Sequence, residues 1–320
     1  MRQLNIIDEE WDYLIILDAC RFDYFESMYA NYIKGDLSKQ ISAGTCTSQW
    51  RDLNFPDFYD DIVYISANPH FCQNISVGGY TAGEHFHKIH EVWRDNWKGG
   101  LVLPETVTKA AVEIVGNYHE KRFIIHYLQP HTPYIIMGDD AKGYEQSHGK
   151  AGRRIIGEDD YNNAPKYKKE IFKRLLKIFK GNNILGSHPE WYLRKWLKLP
   201  PRSPMEIVIR EYSTKVLRNA YKANLRFVLE QVAELIKHLS GRIVITSDHG
   251  ELLGENGCYA HPQNSDNPIL REVPWLVIDK KKAETENFTK ETSVDSGEHD
   301  EKQADENEVQ AKLRDLGYID

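Results

Sequence analysis

The sequence predicts an α/β fold with a mostly parallel central sheet and a helical insertion. Short apolar runs rich in β-branched residues recur at Trp11–Leu17, Ile62–Ile65, Phe123–Tyr127 and Ile243–Ile245, each too short for a helix. Between them lie stretches with helical spacing, Val107–Val115 and Ile207–Leu239. Two of the runs lead into a carboxylate, Asp18 and Asp248, and the carboxyl ends of the strands are where open α/β sheets bind ligands. A length of 320 residues suits one large domain of this kind with a decorated edge.

In chain order, Trp11–Leu17 is a strand that delivers Asp18 at its C-terminal end. Arg21 and Asp23 follow closely, so Arg21 either clamps a phosphate in bidentate fashion or pairs with a carboxylate such as Asp23. Ser42–Trp50 is small and rich in hydroxyls, and it precedes a helix start. It either presents a nucleophile at a helix N-terminus, where free N–H groups stabilise anionic oxygen, or is an ordinary Ser/Thr capping loop. Ile62–Ile65 and Phe123–Tyr127 are inner strands, with the helix Val107–Val115 between them. His85, His87 and His90 lack a helical i, i+4 pair beside an acid and read as solvated surface rather than ligands.

The stretch 143–204 differs in character, with Trp191, Trp196 and paired prolines among basic residues, and reads as a helical insertion near the pocket mouth. Such an insertion is a natural place for substrate selection. Within it, Lys166–Lys180 carries Ile171, Leu175, Leu176, Ile178 and Phe179 and reads as a helix that packs one face, or else docks on an anionic surface. In Ile207–Leu239 the positions Leu217, Tyr221, Leu225, Val228, Val232, Leu235 and Leu239 form a long apolar face that should cover the sheet.

The run Gly241–Glu251 is the most informative: a buried-strand pattern stops on Asp248, His249 and Gly250. Oxygen and nitrogen donors side by side suit Zn, Mn or a related divalent ion, with Gly250 permitting the turn that aims both side chains outward. The alternative is an Asp-Gly-type turn with a capping carboxylate. If the first and last of these strands are parallel neighbours, Asp18, Asp248 and His249 converge on one ion. A nearby alcohol then gains reactivity, since a metal can lower the pKa of a ligated water from ~15.7 to ~7.

Past Ile278 the composition turns to Lys, Glu, Asp, Ser and Thr, a signature of disorder. The organisation expected is therefore a catalytic domain over residues 1–279, a disordered acidic linker over 280–306 and a short amphipathic helix in 307–320 that docks on the core or on a partner.

Taken in this order, the motifs resemble the alkaline phosphatase superfamily on its sulfatase-like branch, from about Trp11 to Ile278. Leu17–Asp23 resembles that branch's opening metal-ligand motif, and Ser42–Trp50 falls where its nucleophile loop lies. Tyr64–Pro69 and His126–Tyr134 are similar to its inner strands and substrate loop, while Thr246–Glu255, followed by His261-Pro262 and Val273–Trp275, is the most specific match. The resemblance implies an alkaline phosphatase-like α/β/α sandwich in which Asp18, Asp248, His249 and Thr47 hold a divalent metal (Mn, Zn, Mg or Ca). It implies that Thr47 attacks, with Thr45 less well placed and Cys46 the rival. The oxidation of cysteine to formylglycine that sulfatases use needs proline or alanine two residues on and arginine four on, where this chain has Ser48 and Trp50. His131 and His261 are implied to contact the anionic oxygens or protonate the leaving group. Two-metal relatives carry a further Asp and His set that is not legible here, so one ion is expected and a second left open. Glu251 either orients His249 or caps a helix.

The activity implied is hydrolysis of phosphate esters or diesters through a phosphothreonine. A sulfuric ester hydrolase or a phosphotransferase on the same fold is the first alternative, and a non-catalytic glycan- or lipid-binding module the second. The net charge of −7 opposes nucleic-acid binding and leaves an anionic ester as the expected partner, with the oligomeric state open. No apolar run approaches the ~20 residues of a transmembrane segment, and the N-terminus lacks signal-peptide regions. Together with four cysteines that form no short-spaced pairs, Cys20, Cys46, Cys72 and Cys258, this points to the cytoplasm.

Overall fold

The structure is a computed structural model that describes residues 4–137 except 99 and 119, then 189–198, 203–281 and 306–316, together with 167, 170, 171 and 174. Most of the 143–204 insertion, with the Lys166–Lys180 stretch, and most of the 280–306 linker lie outside the described residues.

Seven strands form the central sheet: β1 (Tyr13–Leu17), β2 (Asp36–Ile41), β3 (Tyr59–Ser66), β4 (Phe86–Glu91), β5 (Arg122–Tyr127), β6 (Gly241–Thr246) and, after a small β7–β8 hairpin (Leu252–Glu255 and Cys258–Ala260), β9 (Glu272–Lys280). Their order is β2-β9-β6-β1-β5-β3-β4, and β9 alone runs against its neighbours. The central sheet is thus mostly parallel, as the sequence predicts. β1 sits in the middle, flanked in parallel by β5 and β6, which is why Leu14 to Leu17 are all fully buried and read as an unbroken apolar run. Pattern reading overlooks β9, whose apolar run is interrupted by Pro274, and the two edge strands β2 and β4. Their alternation is diluted by polar residues, Asp36, Ser38 and Lys39 on one and His87, Lys88 and His90 on the other, as suits exposed edges.

Successive residues of β1 point to opposite faces, so the two helical layers have separate cores. Ile15 and Leu17 join Val63, Ile65, Ile125, Ile243 and Ile245, with Phe25 of α1 (Phe22–Met28), under two helices, Pro104–Val115 and the longer Thr214–Lys237. Leu14 and Ile16 join Ile62, Tyr64, Ile124 and Val244 on the other face, against Trp50 and Phe55 at α2 (Thr47–Asn54). This is an α/β/α sandwich. Burial of each such side chain contributes about 1.5–3 kcal/mol.

The helical run expected over Ile207–Leu239 is two helices, Pro204–Glu211 and Thr214–Lys237. It breaks because Ser213 adopts an extended conformation and its hydroxyl accepts from Val216 N–H, capping the second helix. Leu217 through Leu235 cover the sheet, and Leu239 lies just beyond the helix but is still buried. At the C-terminus the helix Glu306–Leu316 buries Val309, Leu313 and Leu316 in the same core. Its Lys312 lies 4.6 Å from the Trp93 ring centroid and donates to the Arg94 carbonyl.

His87 and His90 lie on edge strand β4, with His85 just before it. His87 Nδ1 meets Asp60, His90 Nε2 meets the Tyr118 hydroxyl, and His85 stacks on Tyr80. They join no group of ligating side chains among the described residues.

Candidate active site

Strand register assembles the site. Ile16 pairs with Thr246, and Asp18 and Asp248 each follow two residues later, so both carboxylates leave neighbouring strands at one level. Asp18, Asp248 and His249 offer ligand atoms that all lie within 4.8 Å of one another, and all three residues are fully buried. The side chains therefore point into a closed site instead of outward from the turn. Ala19 holds a left-handed φ of 57°, uncommon for a residue with a Cβ, and its N–H donates to Asp248 Oδ1 at 3.0 Å. Cys20 N–H donates to Ser247 Oγ at 2.7 Å, a second tie between the ends of β1 and β6.

Each donor in the trio is oriented by a partner. His249 Nδ1 lies 2.8 Å from the Gly250 carbonyl, which can only accept, so the proton sits on Nδ1 and the Nε2 lone pair faces inward. That Nε2 is 3.3 Å from Asp248 Oδ2 and 3.8 Å from Asp18 Oδ1. Asn68 Nδ2 donates to Asp18 Oδ2 at 2.7 Å. Burial works against the Asp248 carboxylate, but His249 and His126 beside it and the donors from Thr47 and Ala19 outweigh it and hold the group below the usual carboxylate range. Two buried carboxylates facing one inward imidazole lone pair form a donor set that fits a divalent cation.

Gly250 is required for a reason other than turn geometry. A Cβ there would lie 2.0 Å from the Ile269 carbonyl oxygen, and the glycine N–H donates to Leu270 O at 2.8 Å. The constraint is close backbone approach.

Thr47 opens α2, and its Oγ1 donates to Asp248 Oδ2 at 2.7 Å and lies 3.4 Å from His249 Nε2. The rival hydroxyl of Thr45 is engaged elsewhere, donating to Pro262 O at 2.9 Å and meeting Gln49 Oε1 at 3.1 Å. Cys46 is the N-cap residue, with its sulfur beside Ser48 Oγ. Gly44 fixes this geometry, because a Cβ on it would lie 2.4 Å from Trp50 N and 2.7 Å from its Cα, inside the first turn of α2. Gly44→Ala must therefore push the Thr47 turn away from the trio. Its turnover is expected to fall on the order of 10²-fold, the usual cost of ~1 Å of misplacement. Steady-state kinetics alongside circular dichroism checks this: unchanged kcat in a folded variant contradicts it.

Beside the trio lies a second group. His131, Glu251 and His261 offer ligand atoms within 4.8 Å of one another, and the His249 and His261 ring centroids are 4.4 Å apart. His261 Nδ1 is 3.1 Å from Glu251 Oε1, and His131 Nε2 is 4.0 Å from Glu251 Oε2. Sequence spacing did not reveal this set, because Glu251 reads as a partner of His249 or a helix cap, whereas it faces the other two imidazoles.

Arg21 is drawn into ion pairs. It is buried, with Nε and Nη2 on the Asp23 carboxylate at 2.9 and 2.7 Å and Nη1 on Glu255 Oε1 at 2.7 Å and on the Glu251 carbonyl. The structure thus shows the salt-bridge alternative, with four of the five guanidinium N–H groups on protein acceptors. Asn68 and His126 are residues that pattern reading quoted only as parts of strands. Nothing in the sequence alone marks them as neighbours of Asp18.

Burial lowers His126 and His131 from 6.5 to about 4, and raises Glu251 from 4.5 to about 7. As pH falls from 6.5 to 4, the unfolded chain binds protons at both imidazoles that the folded chain does not. Stability therefore drops, by up to about 1.4 kcal/mol per pH unit for each. Glu251 acts oppositely: its folded carboxyl keeps a proton between 4.5 and 7 that the unfolded chain releases, so it adds stability as pH falls through that window. In chelator-treated protein, Glu251→Gln is expected to steepen the acid loss by about 1.4 kcal/mol per unit, and His131→Asn to make it shallower. Urea titrations at several pH values measure this, and parallel profiles for all three proteins contradict it.

The family model described as Sulfatase matches residues 38–309. No curated protein matches the chain. Among solved structures it is similar to the soluble domain of lipooligosaccharide phosphoethanolamine transferase A from Neisseria meningitidis, at 14% identity over 82% of this chain and 75% of that one, with a TM-score of 0.46. Against the integral membrane form of that protein the identity is 14% and the TM-score 0.45, over 86% of this chain and 50% of that one, so the chain spans half its length. It is also similar to the C-terminal periplasmic domain of EcEptC from Escherichia coli in complex with Zn, at 12% identity over 86% of this chain and 74% of that one, with a TM-score of 0.47. On the extent of the family match, the chain belongs to the sulfatase family, in the sulfatase-like branch of the alkaline phosphatase superfamily.

Proposed function

We propose that the protein is a metal-dependent hydrolase of phosphate esters or diesters that works through Thr47. The observation that carries this reading is the position of the Thr47 hydroxyl, 2.7 Å from Asp248 Oδ2 at the first turn of a helix and against the buried trio. Asp18, Asp248, His249 and Thr47 would hold the ion. When bound, a divalent cation supplies positive charge that lowers the pKa of the hydroxyl and offsets charge on the ester oxygens.

The chain's own groups do the rest. Asp248 Oδ2 accepts the hydroxyl proton, Thr47 Oγ1 attacks phosphorus, and the N–H groups at the start of α2 stabilise the anionic oxygens. His131 and His261 stand beside the trio; protonating the departing alcohol needs an imidazolium, a form that burial disfavours at His131, so the less buried His261 is assigned that role and His131 contact with the anionic oxygens. Water then removes the phosphoryl group from threonine. The residues after Cys46, Ser48 and Trp50, lack the formylglycine signal, which favours phosphate over sulfate. Four free cysteines support a reducing, cytoplasmic setting.

The test is a panel of nitrophenyl phosphate, bis(nitrophenyl) phosphate and nitrophenyl sulfate with Mn or Zn, followed by acid quench and mass spectrometry of the Thr47 peptide. Phosphate turnover with a phosphothreonine is expected. Sulfate turnover alone overturns the substrate class, and no turnover by metal-loaded protein supports a binding module instead.

A further inference from the structure

His126 has no part in the reaction just described, yet it lies fully buried on β5 beside Asp18. Its two ring nitrogens face different groups. Nδ1 is 2.9 Å from the Tyr64 hydroxyl, and Nε2 is 3.7 Å from Asp18 Oδ2 with no hydrogen-bond partner among the described residues. We propose that Tyr64 fixes the tautomer of His126 so that its Nε2–H faces Asp18, making Tyr64 and His126 positioning residues for that metal ligand. The inference rests on the reading of Asp18 as a ligand and deepens it.

Proton accounting carries the argument. Tyr64 is fully buried, and among the described residues its hydroxyl meets His126 as its hydrogen-bond partner. A phenol has one proton to place. Donated to His126 Nδ1, it leaves the neutral ring protonated at Nε2, with the N–H pole toward a carboxylate oxygen. The opposite assignment strands the phenolic proton without an acceptor and turns a lone pair toward Asp18 Oδ2, two unfavourable arrangements in a dry site. Burial keeps the ring neutral and the Tyr64 phenol protonated, which agrees with this assignment.

The consequence falls on Asp18. Its Oδ2 accepts from Asn68 Nδ2 at 2.7 Å and has the His126 N–H beside it, while Oδ1 faces His249 Nε2. The carboxylate is thus held from behind with one oxygen turned to the trio. A ring protonated at Nε2 has no lone pair there to offer a metal, so His126 supports the site without ligating. Partners of this kind are typically worth about 10–100-fold in metal affinity.

The experiment uses the full-length 15N-labelled protein. Long-range 1H–15N spectra of the metal-free and zinc-loaded forms are expected to show His126 protonated at Nε2 in both. Protonation at Nδ1, or zinc on Nε2, overturns the proposal. Zinc affinity by chelator competition is expected to fall about 10–100-fold in Tyr64→Phe while the metal-free melting temperature holds. His126→Asn, whose amide reaches only the Nδ1 position, should weaken zinc to a similar extent. His126→Gln, which can place an N–H where Nε2 lies, should restore most of the affinity. This pair decides the question if Tyr64→Phe does not fold, and equal weakening by Asn and Gln overturns the proposal. Should the wild type bind no zinc, the metal reading fails, while the tautomer in the metal-free spectrum still decides the orientation of His126.

Discussion

Replacing Thr47 with alanine is expected to lower turnover of a phosphate ester on the order of 10⁴-fold or more while leaving the fold intact. Loss of a nucleophile removes the covalent route altogether, and what survives in such enzymes is the contribution of binding and charge stabilisation. The side chain is fully buried against Asp248, but it carries little apolar packing, and the helix start depends on Gly44 and on the backbone bond from Trp50 N–H to Cys46 O. Thr47→Ser keeps a hydroxyl at the same position and should retain much of the activity. Pre-steady-state assays separate the cases, since the alanine variant should give neither a burst nor a labelled residue 47. Near-normal turnover in Thr47→Ala would remove the mechanism.

The second large effect is on stability. Asp18 and Asp248 place two carboxylates in one buried pocket whose nearest imidazole, His249, burial disposes to stay neutral. A divalent ion would bind both carboxylates and the inward imidazole lone pair of His249. At an ion concentration about 1,000 times Kd, binding stabilises the fold by about 4 kcal/mol, a rise in Tm of roughly 10 °C for a domain of this size. Asp248→Asn should lose that rise, and its metal-free form should melt below the metal-free wild type, because the fold favours the ionised carboxylate, which accepts from Thr47 and Ala19. Calorimetry with and without Zn or Mn decides this. A Tm rise that survives in Asp248→Asn places the stabilising ion elsewhere.

How much of this was legible depends on where the information lies. β1 and β6 were readable because central strands buried on both faces have only apolar residues to show, and their terminal acids stand out against that background. β2 and β4 were not, since edge strands carry polar residues that mask the alternation. The break before Thr214 hides because the apolar spacing continues across it, and only Tyr212 and Ser213 separate the end of one helix from the start of the next. For the site, Asp18, Asp248, His249 and Thr47 could be named from motifs. Partner choice was harder: Arg21 has acids two residues and 234 residues away, and only the folded chain shows that it takes both. Glu251, Asn68 and His126 were opaque for the same reason, since their roles depend on which side chains the sheet sets opposite them.

The central claim is that Asp18, Asp248 and His249 bind one cation within reach of the Thr47 hydroxyl. Anomalous diffraction from crystals soaked in zinc tests it most directly. The account predicts a peak within bonding distance of all three side chains and next to Thr47 Oγ1; a pocket without a peak when zinc binds elsewhere, or a peak that Asp18 does not touch, would contradict it.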